Sequence, residues 1–430
     1  MSQTTHPVNA LPNDGSIARS STVGFSIYAA IVGASLLVIL NPIVASLAIV
    51  VAIPHIAYLS TLDLCLAAII ATAILHIRTR NIRFFWLMLA GMGMTPLIMV
   101  AAEIAISYAE LRYQPAWHGR NISGVYEPDP RLAWRLMPNG SGREVYPGEF
   151  DVTYLTDAQG RRTLPDARVA HPTVHVFGSS FTFGQGVRND QVALYILAQI
   201  YRDHFRVLNY SVDGYGLDQM VLDLELNRDS IAPGDVVMLA PTPLSVSWSL
   251  IENSFPCLFT IRTGQVPLGR YPFLTKDGWQ FVDLERACGF IDTTLMNSPL
   301  PVGNLLRRYR AATTWSATIA HADLLFSHAQ RLVEERRARL LPLMVVNVDE
   351  CRMKRFEFDL SALKSPIVSM MPYCPADDVR LETLRFPTDG HYNAEGNRWL
   401  ADVLAKVLLK FEPTLGEPNP DGQTGPISAQ

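Results

Sequence analysis

The sequence predicts an α/β domain built on a parallel sheet, preceded by an apolar region of membrane-spanning helices. Charged residues make up 18% of the 430 residues, but only five of them lie between Val23 and Ser107. From residue 166 onwards, short β-type runs alternate with helical patterns, which is typical of a parallel sheet covered by helices on both faces. A disordered chain, a fibrous protein and a simple soluble enzyme are therefore excluded.

The apolar region is long enough for several membrane crossings. Residues 1–22 are polar and are predicted to be a flexible tail, and residues 23–108 form the predicted membrane region. One crossing of a bilayer needs about 20 apolar residues. Three spans fit, near residues 23–41, 55–77 and 84–107.

Two alternatives to three spans stay open. Residues 43–60 could cross separately, which would make four spans. Residues 23–40 could instead be a cleaved signal peptide, although no charged segment precedes them and further apolar stretches follow.

Basic residues between the last two spans predict the orientation of the chain. Residues 78–83 contain three arginines, and because Lys and Arg resist translocation this loop is expected in the cytoplasm. Everything after about Ala109 is then expected on the far side of the membrane, whether the chain crosses three or four times.

The cysteines agree with export. Cys65 lies in a predicted span, whereas the other four follow the membrane region. An oxidising compartment allows these four to form two disulfides in one of three pairings. Order along the chain favours Cys257–Cys288 and Cys351–Cys374. The sequence contains no Cys-x-x-Cys motif or Cys/His cluster, so no metal site is predicted.

The part after the membrane region divides into a lead-in, a main domain and a tail. Residues 109–165 are a lead-in rich in Pro and Gly with one alternating run at Phe150–Leu155. Residues 166–411 form the main domain, and residues 412–430 are predicted to be disordered. Residues 255–285 are predicted to be an insertion with a hairpin around Asp277.

The elements of the main domain follow from hydrophobic periodicity. Five strands are expected at Thr173–Phe177, Val207–Val212, Asp235–Leu239, Leu343–Val348 and Ile367–Met371. Four helices are expected at Gln191–Phe205, Leu217–Arg228, Val302–Arg339 and Trp399–Leu409.

The first junction between a strand and a helix carries a candidate nucleophile. Sites in such sheets form where strands end and helices begin, and Ser180 follows Gly178 and Ser179 at this point. A nucleophilic serine needs a base, and His391 stands just before the last helix with Asp389 two residues earlier. Alone, each segment also fits an ordinary helix cap or loop.

Together and in this order, the segments resemble the SGNH (GDSL-type) hydrolase superfamily. Residues 178–187, 209–216 and 389–396 look like its first, second and final sequence blocks. Residues 128–138 and 157–162 are similar to the preface found in membrane-anchored bacterial members. The resemblance covers about residues 125–411.

The resemblance implies a flavodoxin-like three-layer sheet and a set of roles. Ser180 would attack an ester carbonyl, His391 would take and return the proton, and Asp389 would orient His391. The N–H groups of Ser180 and Gly214 would face the developing oxyanion. No cofactor is implied.

Three departures from the family pattern bear on activity. Ser179 replaces the usual Asp before the nucleophile, and Asp389 lies two residues before His391 instead of the commoner three, where Thr388 stands. The third block lacks the Asn that completes the oxyanion hole, and Thr242 is the candidate replacement. Losing one oxyanion donor costs about 10²–10³ in rate.

The leading functional hypothesis is a membrane-anchored extracytoplasmic serine esterase or O-acyltransferase acting on acyl esters of envelope glycans or lipids. The expected location is a bacterial inner membrane, crossed several times, with the large domain in the periplasm or outside. Similar domains occur in polysaccharide O-acetylation systems, so a membrane-protein partner is a further expectation. The alternative is a degenerate domain that binds a glycan or serves as a subunit of a membrane complex. A net charge of −4 predicts no nucleic-acid partner.

Overall fold

The computed structural model describes residues 22–23, 25–30, 53–113, 121–248, 269–283, 301–356 and 360–416. The chain divides into two compact units, which are residues 1–112 with 294–307 and residues 113–293 with 308–430.

Ten helices of the α type lie in the longer described ranges. They are α1 (Ile53–Thr79), α2 (Ile82–Tyr113), α3 (Ser180–Phe183), α4 (Ala193–Ile200), α5 (Leu217–Asn227), α6 (Pro243–Ser247), α7 (Pro301–Glu335), α8 (Val348–Met353), α9 (Asp378–Thr383) and α10 (Ala394–Phe411).

Twelve strands lie in the same ranges. They are β1 (Asn121–Ser123), β2 (Tyr126–Asp129), β3 (Ala133–Leu136), β4 (Ser141–Tyr146), β5 (Phe150–Leu155), β6 (Thr173–Gly178), β7 (Arg206–Asn209), β8 (Val236–Ala240), β9 (Arg270–Thr275), β10 (Gly278–Asp283), β11 (Arg339–Met344) and β12 (Val368–Ser369).

The first unit contains the two long apolar helices α1 and α2. By length and composition alone, Ser60–Thr79 and Ile82–Ser107 are each able to cross a membrane, and they overlap the predicted spans at 55–77 and 84–107. The predicted span at 23–41 and the optional one at 43–60 lie mostly outside the described residues. Asn81 lies just before α2 and caps it, since its side chain accepts a hydrogen bond from the N–H of Arg83 at 3.0 Å.

The second unit is built on a five-stranded sheet in the order β7-β6-β8-β11-β12. Every pair in it is parallel, so the predicted parallel α/β sheet is confirmed. Numbered by their order within this sheet, the strands run 2-1-3-4-5, which is the flavodoxin-like doubly wound order. The topological switch point therefore lies beside β6, the strand that ends just before Ser180.

The sheet separates two hydrophobic cores, as alternation along β8 shows. Val237 and Leu239 pack in the core that contains residues of α5 and α7. Val236, Met238 and Ala240 pack in the core that contains residues of α4 and α10. Side chains of a strand point alternately to its two faces, so both faces are covered by helices, as the alternating sequence pattern predicts.

The lead-in contains far more strand than the one run predicted for it. Strands β1, β4 and β5 form an antiparallel sheet, and β2 pairs with β3. Trp134 on β3 is fully buried, and its indole N–H donates to the carbonyl of Asp213 at 3.1 Å. These residues belong to the same compact unit as the main sheet.

Side-chain caps shift several predicted boundaries. The strand predicted at Leu343–Val348 is Arg339–Met344, and Val348 instead begins α8, which Asn347 caps by accepting from the N–H of Glu350. The last helix begins at Ala394 instead of Trp399, because Asn393 accepts from two N–H groups of its first turn. The strand predicted at Val207–Val212 ends at Asn209, whose carbonyl Oδ1 accepts from the N–H of Ser211 at 2.9 Å.

Two other predicted elements are shorter in the structure. The helix predicted at Gln191–Phe205 spans only Ala193–Ile200, and Ile367–Met371 contributes just the two residues of β12. The hairpin predicted around Asp277 is formed by β9 and β10.

A disulfide joins Cys351, on α8, to Cys374. This is one of the two pairings that the order of the cysteines favours. Cys257 and Cys288 lie outside the described residues. Cys65, in α1, is a free thiol.

Helix α5 carries a carboxyl group whose ionisation opposes folding. Burial, followed by the nearby carboxylate of Asp129, raises the pKa of Asp223 from 3.8 to about 7. Between these values the folded chain keeps a proton that the unfolded chain has released. The free energy of unfolding therefore falls as the pH rises through this window.

Replacing Asp223 with Asn should remove this dependence. Asp223→Asn is expected to gain stability over the wild type steadily as the pH rises from about 4 to about 7. Urea unfolding of the full chain in detergent, followed by tryptophan fluorescence at several pH values, measures the difference. Asp402→Asn, an exposed change on α10, is the control. Parallel pH profiles for Asp223→Asn and wild type would contradict the prediction.

Candidate active site

The candidate nucleophile lies at the carboxyl end of β6, in the tight turn that begins α3. Ser179 is the N-cap and forms no side-chain capping bond, and Ser180 is the first helical residue. Gly178 has no side chain to obstruct the turn, whereas a Cβ atom there would lie 2.1 Å from Thr182 Oγ1. Gly184 ends the single helical turn with φ of 80°, a conformation that glycine adopts without strain.

His391 and Asp389 lie beside this serine. His391 Nε2 is 2.7 Å from Ser180 Oγ, and His391 Nδ1 is 2.6 Å from Asp389 Oδ2. An ionised carboxylate only accepts hydrogen bonds, so Nδ1–H donates to Asp389 and Nε2 is left to accept the hydroxyl proton of Ser180. The structure thus brings together the three residues that the sequence singles out, in the order that nucleophilic serine chemistry requires.

The local fold explains why Asp389, at a spacing of two, reaches the imidazole. Gly390 has φ of 82°, and its N–H donates to the carbonyl of Phe386 at 2.9 Å. The N–H of Phe386 donates to the carbonyl of His391 at 2.9 Å. The chain therefore turns tightly between Asp389 and His391, and Thr388 is exposed on the loop.

The exposure of the pair suits general base chemistry. The Asp389 side chain is 5% exposed and the His391 side chain is 19% exposed. The carboxylate is therefore largely shielded from water, which strengthens its interaction with an imidazolium, while one edge of the imidazole stays accessible. The ring of Phe181 packs against His391 with 4.9 Å between centroids and covers another side of it.

The two backbone groups predicted for the oxyanion lie at the same edge of the sheet. Ser180 contributes an N–H of the first helical turn, which has no partner within the helix. Gly214 follows β7, the neighbour of β6, and has φ of 80°. The indole of Trp134 bonds Asp213, and the Tyr215 hydroxyl bonds the Trp134 carbonyl at 2.8 Å. The lead-in thereby fixes the turn that contains Gly214.

Thr242, the predicted replacement for the missing Asn, caps α6. Its Oγ1 accepts from the N–H of Ser245 at 3.1 Å, and its own N–H donates to Ser245 Oγ at 2.7 Å. The pairing of Gly178 with Ala240 places Thr242 at the carboxyl edge of the sheet. Within the described residues, no hydrogen bond joins Thr242 to Ser180, His391 or Asp389.

Arg162, in the lead-in, forms hydrogen bonds to backbone carbonyls at the end of the nucleophile turn and just beyond it. The residue is 1% exposed, and its guanidinium donates to the carbonyls of Phe183 at 2.7 Å, Gly184 at 2.5 Å and Val187 at 2.6 Å. Its Cζ atom lies 4.5 Å from the ring centroid of Tyr154 and 4.7 Å from that of Phe183. Burial lowers the pKa of Arg162 to about 10, so the side chain stays charged at neutral pH.

Glu149 supports the other half of the site. Its carboxylate accepts from the N–H groups of Thr388 and Asp389, at 2.5 and 2.9 Å. Sequence reasoning found neither Glu149 nor Arg162. The lead-in segment that contains Arg162 resembles a family preface, which was a signal for that residue, but nothing in the sequence pairs Glu149 with a loop 240 residues away.

Comparisons with known proteins give no family assignment. No protein-family model matches the sequence, and no curated protein matches it.

Among solved structures, a member of the lipolytic G-D-S-L family from Veillonella parvula has a TM-score of 0.25 and 12% identity, over 55% of this chain and 98% of that one. A protein described as lipolytic and of the same family, from Desulfitobacterium hafniense, has a TM-score of 0.24 and 13% identity, over 55% of this chain and 100% of that one. Scores this low do not establish a shared fold, so the functional proposal depends on the geometry of the site itself.

The role of Arg162 can be tested by removing its donors at nearly constant length. Arg162→Met leaves the carbonyls of Phe183, Gly184 and Val187 without this partner. It is expected to lower the free energy of unfolding by about 3 kcal/mol. Urea unfolding of the full chain in detergent measures this loss. Arg143→Met, on an exposed arginine paired with Asp151, should change stability by less than about 0.5 kcal/mol. Equal losses in both variants would contradict the assignment.

Proposed function

We propose that the protein is a membrane-anchored serine esterase or O-acyltransferase that acts on acyl esters. The observation that carries the proposal is the aligned hydrogen-bond chain from Ser180 through His391 to Asp389, with heavy-atom distances of 2.7 and 2.6 Å. The alternative, a degenerate domain that binds a glycan or serves as a subunit of a membrane complex, needs no such alignment.

The first half of the reaction forms an acyl-enzyme. Ser180 Oγ attacks the carbonyl carbon of the ester while its proton passes to His391 Nε2, and the carbonyl oxygen becomes an oxyanion. The negative charge of Asp389 stabilises the imidazolium that results. When the intermediate collapses, the ester C–O bond breaks and His391 returns the proton to the leaving alcohol.

The second half decides between hydrolysis and transfer. An acceptor hydroxyl, from water or from a sugar, loses its proton to His391 Nε2 and attacks the acyl carbon. Collapse of this intermediate releases Ser180 Oγ, which takes the proton back. The two activities therefore share every protein group and differ only in the acceptor.

In this proposal the oxyanion is held by the N–H groups of Ser180 and Gly214. Thr242 is the third candidate donor, but its N–H and its Oγ1 both bond Ser245. A site with one donor fewer than usual should turn over about 10²–10³ times more slowly. This deficit is also the observation that favours the degenerate alternative.

The location and the substrate class are further parts of the proposal. Helices α1 and α2 would anchor the chain in a bacterial inner membrane, and the second unit would face the periplasm. There it would meet acyl esters of envelope glycans or lipids. A membrane-protein partner, as in polysaccharide O-acetylation systems, would supply the acyl group if transfer is the reaction.

Labelling with a fluorophosphonate probe tests for an activated serine. The full chain in detergent is expected to label, because His391 makes Ser180 Oγ nucleophilic. Ser180→Ala and His391→Ala should abolish labelling, and Asp389→Asn should slow it at least about 10²-fold. Ser179→Ala and Thr388→Ala are matched controls that leave the chain of hydrogen bonds intact, and both should label like the wild type. An unlabelled but folded wild type would overturn the proposal in favour of a binding domain.

The acceptor is tested with a small acetyl ester. A slow release of alcohol that depends on Ser180 is expected with water alone. If the protein is a transferase, adding a soluble oligosaccharide should speed this release and yield acetylated sugar, measured by mass spectrometry. Release unchanged by the sugar, with acetate as the only acyl product, would indicate an esterase.

A further inference from the structure

The turn between β4 and β5 makes a direct contact with the loop that carries Asp389 and His391. At this turn the N–H of Glu149 donates to the carbonyl of Tyr146 at 3.1 Å. The half-buried carboxylate of Glu149 then accepts from two consecutive N–H groups, those of Thr388 and Asp389. Both carboxylate oxygens are used, one for each donor.

Aromatic packing joins the same two segments, next to the hydrogen bonds of Glu149. The rings of Phe150 and Phe386 lie 4.9 Å apart between centroids. Gly186, just after the nucleophile turn, faces both rings, since a Cβ atom there would be 2.6 Å from Phe386 and 3.0 Å from Phe150. The β4–β5 turn, the nucleophile turn and the histidine loop therefore meet at one point.

We propose that Glu149 is a positioning residue for the reaction, holding the backbone of Asp389 so that its carboxylate meets His391 Nδ1. This inference rests on the proposed function. Hydrogen bonds to an ionised acceptor are roughly twice as strong as neutral ones, and two on adjacent N–H groups fix both position and orientation. Displacing a reacting group by about 1 Å costs up to about 100-fold in rate.

A positioning role differs measurably from a purely structural one. If Glu149 only stabilised the fold, its loss would lower the melting temperature and leave each folded molecule fully reactive. If it positions Asp389, the folded molecules themselves react more slowly and the hydrogen bond between Asp389 and His391 weakens. The Nδ1 proton of His391 reports that bond directly as a far-downfield proton resonance, whether or not the protein is an enzyme.

The experiment compares Glu149→Ala and Glu149→Gln with wild type, using full chain in detergent labelled with ¹⁵N-histidine. The rate of fluorophosphonate labelling per folded molecule is expected to fall about tenfold to 100-fold in Glu149→Ala. Glu149→Gln keeps one acceptor oxygen, so its labelling rate should fall less. The downfield proton resonance of His391 should be lost or shifted upfield in Glu149→Ala. Asp151→Asn, which changes an exposed carboxylate two residues further on, in β5, is the matched control and should change neither readout.

The outcomes separate this inference from the proposed function. Labelling rates per folded molecule and a His391 resonance that match wild type in both Glu149 variants would overturn the positioning role. If wild type does not label, but its resonance is present and is lost in Glu149→Ala, the proposed function fails and the positioning of Asp389 stands. If Glu149→Ala does not fold, Glu149→Gln decides, because it retains volume and one hydrogen bond.

Discussion

The hydrogen bond between His391 and Ser180 joins positions 211 residues apart in the sequence. The fold must therefore hold two distant segments at a fixed separation of 2.7 Å between Nε2 and Oγ. The parallel sheet places Ser180 at the carboxyl end of β6, next to the switch point in strand order. Buried Asn397, in α10, holds the segment that contains His391. Its Oδ1 accepts from the N–H of Ala193 at the start of α4, and its Nδ2 donates to the carbonyl of Tyr392. The last helix is thereby tied to the helix that follows the nucleophile turn.

The parallel sheet and the three central side chains were predictable because each is encoded locally. Alternating periods give strands and helices, and the serine and histidine segments are short motifs. Boundaries were less accurate where a single side chain caps the start of a helix, as Asn347 and Asn393 do. The contacts of the supporting residues were not predictable, although the preface resemblance marks the segment that contains Arg162. Arg162 bonds carbonyls about 20 residues away, Glu149 bonds a loop 240 residues away, and neither contact leaves a periodic pattern.

Thr242 lies where a helix cap and an oxyanion donor would each need the same side chain. In the family that this sequence resembles, an asparagine after the third strand of the sheet completes the oxyanion hole. Here Thr242 stands near that point and begins a helix, and its Oγ1 satisfies the N–H of Ser245. Satisfying a helix terminus typically contributes about 1 kcal/mol to stability. A strong cap and a third oxyanion donor therefore compete for the same short segment.

The lead-in contacts three parts of the site: Trp134 holds the Gly214 turn, Arg162 the nucleophile turn and Glu149 the histidine loop. The candidate catalytic residues and the residues that hold them consequently come from stretches of sequence that a boundary at residue 166, drawn from the strand and helix pattern, would separate. A shortened chain beginning there would keep all three residues of the serine–histidine–aspartate chain and lose their supports. The structural unit is therefore longer than the segment of alternating strands and helices, and a transplanted domain needs the lead-in as well as the main sheet.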